Sequence, residues 1–101
     1  MPSKILLVDD DAFLRRTLSL HLEQAGYRVS TASAAEQALV EAAQFSPDLI
    51  VLDIGLPGMD GFDAIQRFKE ITKAPIIFLT ARRRNMDQIL GLQMGADDYI
   101  T

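Results

Sequence analysis

Carboxylates and one hydroxyl stand where apolar runs stop. Asp9 and Asp10 follow Ile5-Leu6-Leu7-Val8, Asp53 follows Leu49-Ile50-Val51-Leu52, and Thr80 follows Ile76-Ile77-Phe78-Leu79. If those runs are neighbouring strands, their side chains meet at one edge. Carboxylates gathered there repel one another, and a hard divalent cation is the simplest remedy. Mg²⁺ fits best: it prefers oxygen ligands, takes one or two protein carboxylates and keeps positions for water or phosphate. The chain has no cysteine and a single histidine, His21, outside these positions, so the donor set disfavours zinc.

The elements that must position these residues are legible in the same runs. Short continuous apolar runs separated by amphipathic stretches predict parallel strands covered by helices on both faces. The strands are Ile5–Val8, Tyr27–Ala32, Leu49–Leu52, Ile76–Leu79 and one beginning at Tyr99-Ile100-Thr101. Ala12–Ala25 reads as a helix with Leu14, Leu18, Leu22 and Ala25 on one stripe, capped by Asp11 and ended by Gly26. Ser33-Ala34-Ala35-Glu36 reads as a capping box opening a second helix with Ala35, Leu39 and Ala42 inward, broken at Pro47-Asp48. A third helix runs from about Gly61 to Thr72 with Phe62, Ile65 and Phe68 on one face. A weaker fourth covers roughly Asn85–Met94 and ends at Gly95. The resulting β-α-β-α-β-α-β-α-β order admits few topologies under the right-handed crossover rule. In open parallel sheets, sites form beyond the carboxyl ends of the strands, where Asp9, Asp10, Asp53 and Thr80 fall.

The bulk composition narrows the function. A chain of 101 residues with 49% hydrophobic content is expected to form one domain over residues 1–101 with a real core. Ten basic against 14 acidic residues give a net charge of −4, which argues against this segment binding nucleic acid or an anionic membrane by itself. The first apolar run is too short for a signal peptide or a membrane span. With the absence of cysteine, this fits a cytoplasmic protein without a membrane partner.

The loop Ile54-Gly55-Leu56-Pro57-Gly58-Met59-Asp60-Gly61 adds glycines that permit unusual backbone angles and a proline that stiffens them, so it can turn a carbonyl toward a metal. Asp60 reads as the cap of the next helix.

Taken in order, Ile5–Asp10, Asp48–Asp53, Leu56–Gly61, Pro75–Ala81 and Gly95–Thr101 resemble the receiver domains of two-component response regulators over the whole chain. The resemblance implies a doubly wound, flavodoxin-like five-stranded parallel sheet of order 2-1-3-4-5. It implies Mg²⁺-dependent phosphoryl transfer from the phosphohistidine of a sensor histidine kinase to Asp53. Asp9, Asp10, Asp53 and the backbone carbonyl of Gly55 would hold the Mg²⁺. Thr80 would contact the phosphoryl group and switch, beside the backbone of Ala81, and Tyr99 would turn inward with it. Such a domain is a signalling phosphoacceptor and not an enzyme acting on other molecules.

Gly95-Ala96-Asp97-Asp98-Tyr99-Ile100-Thr101 is most similar to the OmpR/PhoB type. That type implies transcription regulation through a DNA-binding output domain absent from this sequence, and a homodimer through the face of the fourth helix and fifth strand. Gln88 stands where that face carries a basic residue. The family continues with a Lys-Pro pair and a fifth helix, so the fold is expected to be incomplete at its C-terminus.

Simpler readings compete. Arg82-Arg83-Arg84 reads as a solvated helix start, His21 as a surface or packing residue, and Met59, Met86 and Met94 as packing residues. Phosphatases with an aspartyl-phosphate intermediate usually place a second aspartate two residues after the nucleophile, where this chain has Gly55. Gly55, Gly58 and Gly61 do not have the spacing of a dinucleotide-binding fingerprint. A receiver-like module used only for protein contacts would not need Asp10, Asp53 and Thr80 together.

Overall fold

A computed structural model describes residues 3–53, 61–79 and 98–100. Its elements are β1 (Lys4–Val8), α1 (Ala12–Gln24), β2 (Arg28–Ala32), α2 (Ala35–Phe45), β3 (Leu49–Asp53), α3 (Gly61–Ile71), β4 (Ile76–Leu79) and β5 (Asp98–Ile100). The strands form one parallel sheet of order β2-β1-β3-β4-β5, as expected. The chain leaves β1 toward β2 on one side and returns to β3 on the other. The crevice at the carboxyl ends of β1 and β3 is therefore the switch point at which such sheets bind ligands.

Strand periodicity sorts the core into two layers. Leu6, Val8, Ile50, Leu52, Ile76 and Phe78 face α2 and α3, packing with Ala38, Ala42, Ala64, Ile65 and Phe68. Ile5, Leu7 and Val51 face the opposite way, against Leu14, Leu18 and Leu22 of α1. The inward stripe expected for α2 needs one correction. Ala38 and Ala42 are its buried residues, and Leu39 packs partly buried beside them, whereas Ala35 is only half-buried.

The helix ends follow from local hydrogen bonding. Asp11 caps α1, its Oδ1 accepting from the backbone N–H of Phe13 at 3.0 Å and of Leu14 at 3.2 Å. At the other end Gly26 adopts φ +101° and donates to the Glu23 carbonyl, while Tyr27 donates to the Leu22 carbonyl. This pair of bonds is a Schellman closure. It draws Tyr27 into the helix end, so β2 starts one residue later than expected, at Arg28. The anticipated capping box before α2 does not form through Glu36. Gln37 takes that place, its Oε1 accepting from both the backbone N–H and the hydroxyl of Ser33. Helix α3 ends at Ile71, where the Thr72 hydroxyl accepts from the Ala74 N–H and turns the chain toward β4.

The far edge of the sheet is tied by a reciprocal pair. The Lys4 N–H donates to Asp48 Oδ2 at 2.8 Å, and the Asp48 N–H donates to the Lys4 carbonyl at 2.7 Å. This bond pair fixes the β1–β3 register from the end opposite the carboxylates. The expected fourth helix (85–94), the loop 54–60 and the side chain of Phe62 lie outside the described residues.

Candidate functional site

The β1–β3 register decides where the carboxylates meet. Ile5 pairs with Leu49, Leu6 with Ile50, Leu7 with Val51 and Val8 with Leu52. One further step sets Asp9 abreast of Asp53. Both are buried, with Asp9 0% and Asp53 5% exposed, while Asp10 beside them is exposed. Carboxylate oxygens of Asp9, Asp10 and Asp53 all lie within 4.8 Å of one another.

Asp9 is held by its backbone as well as its side chain. Its N–H donates to the Ala32 carbonyl at 3.1 Å, which extends the β1–β2 ladder by one residue. Its Oδ1 accepts from the Asp11 N–H at 2.8 Å. Its carbonyl accepts from Arg15 Nη1 at 2.7 Å. Asp53 closes β3 and pairs with Leu79 of β4. Asp11, acidic but committed to capping α1, is not part of the cluster.

The donor set is oxygen alone, converging from two strand ends at the switch point. A hard cation such as Mg²⁺ fits these donors: one or two carboxylates anchor it, and it keeps other positions for water or a phosphoryl oxygen. Asp9, Asp10 and Asp53 could each offer one ligand atom. Fixed positive charge at such a place is well suited to phosphoryl transfer, which depends on positioning and charge neutralisation.

Of the residues the sequence singled out, Asp9, Asp10 and Asp53 come together. Gly55, Thr80 and Ala81 lie outside the described residues, and Tyr99 is placed only by its backbone, opposite Phe78 in the β4–β5 pairing. Arg15 escaped the sequence reading. Its only sequence signal is its place one turn into the helix that follows the acidic run, and that does not single out a guanidinium bonded to the Asp9 carbonyl.

Comparison with known proteins agrees with this geometry. Residues 5–101 match the family model described as the response regulator receiver domain. The chain is 48% identical over 100 residues to the transcriptional regulatory protein AfsQ1 of Streptomyces coelicolor, covering 99% of this chain and 44% of that protein. It is 45% identical over 102 residues to the alkaline phosphatase synthesis transcriptional regulatory protein PhoP of Bacillus subtilis, covering 100% of this chain and 42% of that one. The chain thus spans less than half the length of these two relatives. Among solved structures, a response regulator of Burkholderia pseudomallei, with a phosphorylated aspartic acid, calcium ion and citrate, superposes with a TM-score of 0.85 at 28% identity. That match covers 96% of this chain and 58% of the other.

Proposed function

Since the chain belongs to the response regulator receiver family, whose general function is phosphoryl transfer in two-component signalling, we propose that Asp53 is its phosphoacceptor. The observation that carries this is the convergence of Asp9, Asp10 and Asp53 at the carboxyl ends of β1 and β3. Receiver domains bind Mg²⁺ generally, and here Asp9, Asp10, Asp53 and the Gly55 carbonyl would hold it. Bound there, the ion would neutralise charge developing on the transferred phosphoryl oxygens.

The chain's own residues do the rest. The Asp53 carboxylate attacks phosphorus in line with the departing imidazole of a kinase phosphohistidine. A new O–P bond forms as the N–P bond breaks, and the leaving nitrogen keeps the electron pair. The strand position of Asp53 fixes the attacking oxygen, and Asp9, braced by Asp11 and Arg15, holds its place beside it. Thr80 then bonds a phosphoryl oxygen beside the Ala81 backbone, and Tyr99 follows inward, carrying the signal to the face of β5.

Response regulators are phosphorylated by histidine kinases, and the matched relatives are transcriptional regulators. The proposal for the whole protein is therefore a cytoplasmic regulator in which this single domain, residues 1–101, controls a DNA-binding output. A homodimer through the face that includes β5 is the expected means. No described helix is long and apolar enough to cross a membrane.

The test is incubation with acetyl phosphate in Mg²⁺ and, separately, in excess chelator, read by phosphate-affinity electrophoresis. Mg²⁺-dependent labelling that is abolished by chelator supports the reading. Equal labelling in both overturns the metal assignment, and no labelling in either overturns the phosphoacceptor assignment.

A further inference from the structure

Two of the three clustered carboxylates sit on one short turn, and a single side chain closes it. Asp9, Asp10 and Asp11 link the end of β1 to the start of α1. The Asp11 N–H donates to Asp9 Oδ1 at 2.8 Å, which draws the ends of the turn together. Arg15, early in α1, adds two further bonds. Its backbone N–H donates to the Asp11 carbonyl at 2.9 Å, and its Nη1 donates to the Asp9 carbonyl at 2.7 Å. One residue therefore holds both ends of the turn, with Asp10 between them.

The place of the Asp9 carbonyl explains why a side chain matters there. The Asp9 N–H donates to the carbonyl of Ala32, the last residue of β2. Past that bond the chain turns into α2, so pairing with β2 does not steady the residues that follow Asp9. The half-buried Arg15 guanidinium supplies a charge-assisted bond at this point.

We infer that Arg15 is a positioning residue for the metal site: by closing the Asp9–Asp11 turn it presets the Asp9 and Asp10 carboxylates and so tunes the affinity for Mg²⁺. This rests on the reading that Asp9, Asp10 and Asp53 hold that ion. Groups that orient metal ligands from behind contribute about tenfold or more to affinity. Arg15 also carries a positive charge, which by itself repels Mg²⁺, but a charge in partial contact with water is screened. The two effects have opposite signs, so a substitution separates them. Lost positioning weakens Mg²⁺ binding, and lost charge strengthens it.

The probe is Mg²⁺ alone, titrated into the whole chain at constant ionic strength, with amide shifts followed by NMR. Arg15→Ala should weaken binding about tenfold. Arg15→Lys, which keeps a cationic donor, should recover part of the loss. Arg16→Ala removes an exposed charge at the next position and should leave the affinity unchanged. Before metal is added, the Asp9 carbonyl carbon resonance should shift in Arg15→Ala and stay in place in Arg16→Ala. A parent chain with no saturable response overturns the Mg²⁺ reading and this inference with it. With a parent that binds, four results overturn the inference alone: Arg15→Ala binding as tightly or more tightly, an unmoved Asp9 resonance in that variant, no recovery in Arg15→Lys, or an equal loss in Arg16→Ala.

Discussion

Asp9 and Asp53 stand abreast at the ends of neighbouring parallel strands, both buried, because the pairing that sets Val8 beside Leu52 runs one residue further. Two carboxylates held side by side, with Asp10 close by, offer oxygen ligands to a cation. A one-residue register slip would turn one carboxylate to the other face of the sheet and dissolve the site.

A first prediction concerns the metal. Mg²⁺ binding only the folded chain should stabilise it by about 1.4 kcal/mol at roughly tenfold its dissociation constant. For a domain of this size that is roughly 5 °C or more in melting temperature. Asp10→Ala removes an exposed ligand without opening the core, so it should shrink the Mg²⁺-dependent rise and leave the melt in chelator nearly unchanged. Thermal melts with and without Mg²⁺ check this. An unaltered rise in the variant would remove Asp10 from the ligand set.

Phe68 is fully buried between α3 and the sheet, among Ile65, Ile76 and Phe78. Phe68→Ala should destabilise the chain by about 3–5 kcal/mol through lost burial and the cavity left behind. Denaturant unfolding measures it, and a loss below about 1 kcal/mol would mean that this layer is not the main core.

The Lys4–Asp48 bond pair carries a smaller prediction. Asp48→Ala removes the carboxylate that accepts from the Lys4 N–H but keeps the backbone bond in the other direction. The expected loss is about 1 kcal/mol by denaturant unfolding. A neutral result would show that water replaces the carboxylate fully.

Gly26 occupies φ +101° at the end of α1, with nothing within 4 Å of where a Cβ would stand. Gly26→Ala is therefore strained by backbone angle and not by crowding, and should lower stability by about 1 kcal/mol. An alanine variant as stable as the parent would mean that the Schellman closure rearranges without penalty.

Much of this architecture was legible because its determinants are local and periodic. The apolar runs Ile5–Val8 and Leu49–Leu52 read as buried strands, and placing the acids just past them was enough to predict the cluster. The strand order was not readable from spacing and came with the family resemblance. Three details escaped because they depend on individual bonds. Gln37 replaced Glu36 as the partner of Ser33, Ala38 replaced Ala35 on the inner stripe of α2, and Arg15 reached the Asp9 carbonyl. Residue type makes several such partners equally plausible, and only tertiary geometry selects one.

The central claim is that Asp53 takes the phosphoryl group. The direct measurement is the intact mass of the chain after incubation with Mg²⁺ and a phosphohistidine donor, followed by fragmentation to locate the added group. The account predicts one phosphoryl group, on Asp53, and none on Asp53→Asn. A variant labelled as fully as the parent, or a group placed on any other residue of the parent, would contradict it.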